Sequence, residues 1–214
     1  MDYRVIDMEQ DPRKEHFAYF SAMSNPYVGA TQPVDITGFL QVCRAQACPF
    51  FLSFLYCVGR AANAVPQLRQ RILDGKVIEL ARCDAGYTVM RDSGAYSYGR
   101  ADCMRPFDQY LTREAPRLEQ AKGRANLDDG PDGFSLIFVS CTPWFSFTSV
   151  QQPTPVPADS NPRIVWGKYT AQGERVTLPV SILANHALVD GIHIGAFFAA
   201  LERELEEFAR RERE

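Results

Sequence analysis

Three histidines, His16, His186 and His193, are the side chains of this 214-residue chain best suited to moving a proton near neutral pH. The unperturbed imidazole pKa of about 6.5 lies close to that range. His186 stands apart by position. It follows an apolar run, Val176 to Ala184, that reads as a buried strand, and it precedes Ala187-Leu188-Val189-Asp190-Gly191 and then a helical pattern. A histidine at a strand end, then an Asp-Gly turn, then a helix, is a rigid way to hold an imidazole at a rim. The residues alone leave a structural histidine open, and they give Asp190 a plainer task as cap of the following helix. His16 and His193 read as packing or surface residues. Ser140, inside the apolar run Phe134 to Cys141, reads on its own as an ordinary serine of a buried strand.

The elements that must position these groups follow from periodicity and punctuation. Phe17, Phe20 and Met23 recur at helical spacing and predict a helix over about Pro12–Met23. A second helix is predicted over Pro49–Ala64, with proline at its start and Pro66 just beyond its end. Val77–Ala81, Gly86–Met90 and Ala95–Tyr98 read as strands, the last two joined by an Asp92-Ser93-Gly94 turn. Pro106–Lys122 is expected to hold broken helix because a proline interrupts it. Gln151–Pro162 reads as a loop. Ile164–Tyr169 and Val176–Ala184 read as two strands joined by residues 170–174. A last helix from about Ile192 carries one apolar stripe of Ile194, Phe197, Phe198, Leu201, Leu205 and Phe208. Strands and helices mix without regular βαβ alternation. The expected fold class is therefore α+β, a two-layer sandwich whose largely antiparallel mixed sheet is covered by helices.

Bulk properties narrow the function. A hydrophobic fraction of 46% is enough for a sizeable core. The net charge of −3, with both signs dispersed, offers no nucleic-acid-binding surface and no polybasic membrane patch. The tail Arg210-Arg211-Glu212-Arg213-Glu214 reads as a solvated helix end. The longest apolar stretch, Pro49 to Val58, is too short to cross a bilayer. Six cysteines show no CxxC pair and no metal-ligand spacing with a histidine, and the N-terminus lacks an apolar signal core. Free thiols, a cytoplasmic setting and no metal are expected.

The run Asn185-His186-Ala187-Leu188-Val189-Asp190-Gly191-Ile192-His193 resembles the HHxxxDG signature of chloramphenicol acetyltransferases. Related motifs occur in dihydrolipoamide acyltransferases and in condensation domains. Further matches keep the family's order and spacing over nearly the whole chain. Arg13-Lys14-Glu15-His16-Phe17 is similar to its N-terminal segment, and Asp35-Ile36-Thr37 to an early strand. The run Val139 to Ser149 is similar to its S-x-x-P-W-x-x-F block, and Gly167-Lys168-Tyr169 with Gly173-Glu174-Arg175 to the hairpin before the histidine. The resemblance implies one domain over 1–214 that transfers acetyl from acetyl-CoA to a hydroxyl, with no permanently bound cofactor. His186 is implied as general base, Ser140 as donor to the oxyanion, and Asp190 with Arg13 as a structural ion pair. It further implies that Tyr19 and Phe20 line the acceptor pocket and that Tyr169 lies near the CoA adenine. The family is a homotrimer with sites at subunit interfaces, the histidine from one subunit and most of the acceptor pocket from its neighbour. On that basis, chains damaged at His186 and chains damaged in the pocket, for instance at Tyr19, are expected to complement each other.

The departures cluster on the acceptor side. Asn185 stands where the antibiotic-resistance enzymes carry a second histidine. Val165 stands where they carry a threonine, and valine cannot donate a hydrogen bond. Val150 and Gln152 alter the pocket wall, and Pro153–Pro162 is unlike the family. Acetyl transfer is therefore expected with weaker turnover of chloramphenicol. The alternatives are a same-fold acetyltransferase for another hydroxyl or amine acceptor, and a catalytically silent ligand-binding trimer.

Overall fold

The computed structural model describes residues 2–211. Along the chain run β1 (Tyr3–Val5), α1 (Lys14–Ser21), β2 (Tyr27–Asp35), α2 (Thr37–Ala45) and α3 (Phe50–Asn63). Then come β3 (Gln70–Leu73), β4 (Lys76–Leu80), β5 (Ala85–Met90), β6 (Tyr96–Ala101) and α4 (Phe107–Gly123). The last stretch holds β7 (Ile137–Cys141), β8 (Arg163–Trp166), β9 (Thr170–Gln172), β10 (Arg175–Asn185) and α5 (Gly191–Arg210). The main sheet has the order β2-β10-β8-β7-β5-β6, with β9 paired to β10, and a small sheet has the order β1-β4-β3. Only β8–β7 and β7–β5 are parallel in the main sheet. The expected α+β, largely antiparallel mixed sheet under helices is what the chain forms.

The layers follow from the two periods. Along β10, Leu178, Val180, Ile182 and Ala184 alternate onto the core face, where Val139, Ile164 and Trp166 of the neighbouring strands join them. The apolar stripe of α5, from Ile194 to Phe208, is buried against that layer together with α3. Each such side chain contributes about 1.5–3 kcal/mol on burial, which outweighs the modest helix propensity of phenylalanine and isoleucine. No helix among the described residues is long and apolar enough to cross a membrane.

Three expectations need correction. Pro106–Lys122 is not broken helix, because α4 runs unbroken from Phe107 to Gly123 with Pro116 inside it. Its buried face decides the matter. Tyr110 is fully buried and donates to the Leu52 carbonyl at 2.9 Å, so tertiary packing outweighs the single backbone bond the proline removes. Asp35-Ile36-Thr37 is not an early strand as a whole. Asp35 ends β2, and its carboxylate accepts from the Thr37 N–H at 2.9 Å and the Thr37 hydroxyl at 2.7 Å, which turns the chain into α2. The run Phe134–Cys141 forms strand only from Ile137, after a short 3-10 turn over Gly133–Ser135. Arg210 and Arg211 are exposed, as expected for a solvated helix end, and the Arg211 guanidinium also lies 4.7 Å from the Phe107 ring centroid. The rest of the charged tail, 212–214, lies outside the described residues.

Candidate active site

His186 is held by its backbone from three directions. Its N–H donates to the Pro26 carbonyl at 2.6 Å, which continues the β10–β2 pairing by one residue. Its own carbonyl accepts from Arg13 Nη2 at 3.0 Å, and the same nitrogen reaches the Ala187 carbonyl at 3.3 Å. Asn185 closes the turn, because its Oδ1 accepts from the Ala187 N–H at 3.0 Å while its backbone carbonyl accepts from Leu188 and Val189. The imidazole stacks on Phe20, centroids 3.7 Å apart and planes 13° apart, and Phe20 meets Tyr19 edge-on at 5.2 Å. His186 Nδ1 is buried and 3.3 Å from Asp190 Oδ1. The two atoms are close, but the contact is too poorly aligned for a hydrogen bond. About a quarter of the side chain, 27%, stays accessible, on the parts of the ring away from Nδ1.

Arg13 and Asp190 form an ion pair. Burial holds the Arg13 pKa below its ordinary value, against the pull of Asp11. Asp190 is also the N-cap of α5, in a reciprocal arrangement in which its N–H donates to His193 Nδ1 at 2.9 Å. Burial first, and Arg13 second, depress the His193 pKa, so the neutral ring that this bond requires is favoured. Capping and ion pairing therefore coexist on one carboxylate. His193 turns out to be a capping residue, and His16 is exposed.

Ser140 lies elsewhere. It is in register with Val165 on β8, and Val165 with Ser181 on β10, so the three share the sheet face away from the helices. His186 is five residues past Ser181. That places it roughly 17 Å along the strand and about 10 Å across two strand spacings from Ser140, with odd parity turning it to the other face. One chain does not bring His186 and Ser140 together. Two concavities meet at Ser140. The larger, about 840 Å³, is mainly apolar and is lined by Phe50, Phe51, Trp144, Lys168 and Tyr169. The smaller, about 290 Å³, is lined by Thr88, Tyr96, Tyr98, Phe138 and Gln152.

The chain matches the family profile described as chloramphenicol acetyltransferase over residues 1–202. The chain belongs to the chloramphenicol acetyltransferase family. A Klebsiella chloramphenicol acetyltransferase is 31% identical, with 96% of this chain and 95% of the relative covered. An Escherichia coli chloramphenicol acetyltransferase is 30% identical over 96% and 95% of the two chains. A solved chloramphenicol acetyltransferase structure superposes with a TM-score of 0.85 at 30% identity, covering 95% of this chain and all of that one. The cubic core of the pyruvate dehydrogenase multienzyme complex shares the fold alone, at 16% identity and a TM-score of 0.67 over 92% and 88% of the chains.

Within this acyltransferase family, the residues singled out from sequence fall into two groups. His186, Asp190, Arg13, Phe20 and Tyr19 gather at the junction of α1, β10 and α5. Ser140 and Tyr169 line one cavity at the far end of β7 and β8. The split overturns one expectation: Tyr19 and Phe20 are not supplied opposite the histidine of the same chain but stand beside it, because α1 packs its Phe20 ring onto the imidazole. Sequence reasoning also missed Thr88, Tyr96, Tyr98 and Phe138. Nothing local marks them, since the parallel β5–β7 pairing brings residues about 50 positions apart onto one wall. Val165 is buried between two serines, and Gln152 lines the smaller cavity with its amide 3.4 Å from the Arg163 carbonyl.

Proposed function

We propose that this chain is an acetyl-CoA-dependent O-acetyltransferase of the chloramphenicol type, acting as a homotrimer whose sites each combine two subunits. The observation that carries the proposal is the meeting of two cavities at Ser140, one large and apolar and one small and more polar. That is the shape a transfer between two substrates requires. The thioester arm and the adenine end beside Tyr169 occupy the larger cavity, and the acceptor occupies the smaller. The roughly 20 Å between Ser140 and His186 within one chain favours a site closed by the histidine of a neighbouring subunit.

In this reading His186 removes the proton of the acceptor hydroxyl, and that oxygen attacks the thioester carbonyl. The tetrahedral oxyanion accepts a hydrogen bond from the Ser140 hydroxyl. Collapse breaks the carbon–sulfur bond, the ester leaves, and the protonated imidazole returns its proton to the CoA thiolate. No acyl-enzyme forms. A hydroxyl is a weak nucleophile at neutral pH, so the positioned base and the gathering of both substrates supply most of the acceleration. The contact with Asp190 and the clamp of Arg13 on the His186 carbonyl orient the ring and keep Nδ1 inward. Asp190 with Arg13 is structural and transfers no proton. The acyl donor and the six free cysteines support a cytoplasmic setting, with residues 1–214 working as one domain and no metal or resident cofactor.

A thiol-trapping assay with acetyl-CoA and chloramphenicol tests the activity. CoA release with chloramphenicol, at a kcat/KM below that of dedicated resistance enzymes, is expected. Release only with other acceptors moves the enzyme to a different substrate, and no release with any hydroxyl or amine acceptor leaves the silent trimer.

A further inference from the structure

The smaller cavity beside Ser140 has an unbalanced charge. Of the residues that line it, only Asp129 and Arg163 are formally charged. Arg163 is already neutralised, because Asp159 takes its Nη1 at 2.7 Å and its Nη2 at 2.6 Å, and the Asn161 carbonyl accepts from Nη1 at 3.0 Å. Asp129 has no such partner among the described residues. Its neighbour Asp132 is engaged by Arg100 at 2.7 Å. Partial burial, and then the nearby Asp128, raise the Asp129 pKa, and no cation offsets them. The carboxylate is also close enough to Tyr98 to help push that phenol's pKa up, behind burial and Tyr96. Tyr96 and Tyr98 stack with centroids 6.1 Å apart and planes 27° apart on the same wall. The cavity thus brings together one partly desolvated carboxylate with no counter-ion among the described residues, two stacked tyrosines and Ser140.

We propose that the acceptor pocket takes a small hydroxyl compound bearing a cationic nitrogen, with the ammonium group between Asp129 and the faces of Tyr96 and Tyr98. A neutral, weakly polar acceptor would leave the carboxylate without a countercharge. A cation relieves the repulsion from Asp128 and gains from both rings, the combination that selects ammonium ligands elsewhere. The volume of about 290 Å³ limits the acceptor to a small molecule. The inference rests on the acetyl-transfer reading only in naming the ligand's hydroxyl as the reacting group. The charge selectivity follows from the cavity itself.

Two matched alcohols separate the inferences. Choline and its neutral carbon isostere, 3,3-dimethylbutan-1-ol, have nearly the same shape and differ by one charge, and a quaternary nitrogen cannot be acetylated. Calorimetric titration of the assembled protein should show choline binding at least about ten-fold more tightly, a difference of about 1.4 kcal/mol. Asp129→Asn should reduce that ratio to near one while leaving the far-ultraviolet circular dichroism unchanged. Equal binding of the two alcohols, or a preference that survives Asp129→Asn, overturns the cationic pocket. CoA release from acetyl-CoA is then followed with both alcohols. Turnover without charge preference keeps acetyl transfer and removes the cationic pocket. Charge-selective binding without turnover of either alcohol, or of chloramphenicol, keeps the pocket and removes acetyl transfer.

Discussion

The two halves of the candidate site are built by different physics. Around His186 nearly every constraint is a short polar contact to the backbone: Pro26, Arg13 and Asn185 fix the main chain on either side of the ring, and Phe20 fixes its plane. Around Ser140 no such side-chain clamp is formed among the described residues. Its position is set by strand register against Val165 and by the walls of two cavities. The contrast matches the tasks proposed for them. A base must keep one direction, which the clamped main chain and the ring stacked on Phe20 achieve. A donor to a developing oxyanion needs only a fixed place beside two open volumes, which a rigid sheet achieves.

The largest effect is expected at His186. His186→Ala should remove nearly all acetyl transfer from a trimer that stays folded, since the main-chain contacts that hold residue 186 do not involve its side chain. The loss should lie within the 10²- to 10⁴-fold range, toward its upper end, expected for a general base. Retention of more than a few per cent of the turnover would remove histidine from the mechanism. The same variant tests the division between subunits. Mixed and re-formed with Ser140→Ala chains, it should recover activity, because some interfaces then join an intact histidine to an intact serine. With equal, random mixing in a closed ring about a quarter of the sites are whole. A mixture with Tyr19 variants should recover much less, because Tyr19 sits on the His186 side of its own chain. Trimers shown to exchange subunits yet recovering nothing with Ser140→Ala would place the whole site within one chain.

At the sheet half the effect is smaller. Ser140→Ala should lower kcat by on the order of 10²-fold with little change in CoA affinity, the usual loss for one oxyanion donor. An unchanged kcat with weakened CoA binding would assign Ser140 to the cavity wall instead.

The legibility of the two halves in sequence follows the same divide. The His186 turn, its Asp-Gly exit and the α5 stripe are local and periodic, so residues 176–208 could be read almost as they fold. Resemblance added Arg13, 173 positions from His186, and Arg13 forms an ion pair with Asp190. The cavity at Ser140 could not be read in this way. Its walls come from β5, β6, α3, α4 and the loops on either side of β7, and β5 is brought to β7 by parallel pairing between distant residues, which leaves no short-range signature. The α2 helix went unseen for another reason. Its start depends on one Asp35 side chain capturing Thr37, and the preceding strand residues mask it. The unbroken α4 shows packing overruling a proline, an outcome that depends on what lies beneath Tyr110 and not on the sequence of the helix.

The ion pair ranks next. Asp190→Asn leaves Arg13 without its countercharge while keeping a side chain that can cap α5. Breaking a fully buried pair costs about 3–5 kcal/mol. Here about a third of the Asp190 side chain meets solvent, so about 1–3 kcal/mol is expected, together with a fall in kcat as the His186 carbonyl clamp loosens. Chemical denaturation and turnover measured on the same preparation check this. Unchanged stability with normal kcat would reduce Asp190 to a helix cap, a role asparagine fills about as well.

The smallest effect concerns His193, whose neutral ring accepts the Asp190 N–H at the start of α5. Its folded pKa lies below the ordinary 6.5, because burial and then Arg13 disfavour the charged ring. Near and just below 6.5 the unfolded chain takes up a proton that the folded chain refuses. Stability from this residue is therefore complete above about 6.5 and declines as the pH falls through the window beneath it. His193→Gln keeps an acceptor at the third helical position, where glutamine closes a capping box without titrating. The variant should match wild type within about 0.5 kcal/mol at pH 8, the range of a substitution that keeps its contact. As pH falls below 6.5 the wild type should lose stability relative to it. Because carboxylates titrate in both proteins, the quantity to measure is the difference between the two denaturation midpoints at each pH. A difference that stays flat from pH 8 to pH 5 would show that the His193 ring accepts no bond whose loss the fold registers, and the cap of α5 would then rest on Asp190 alone.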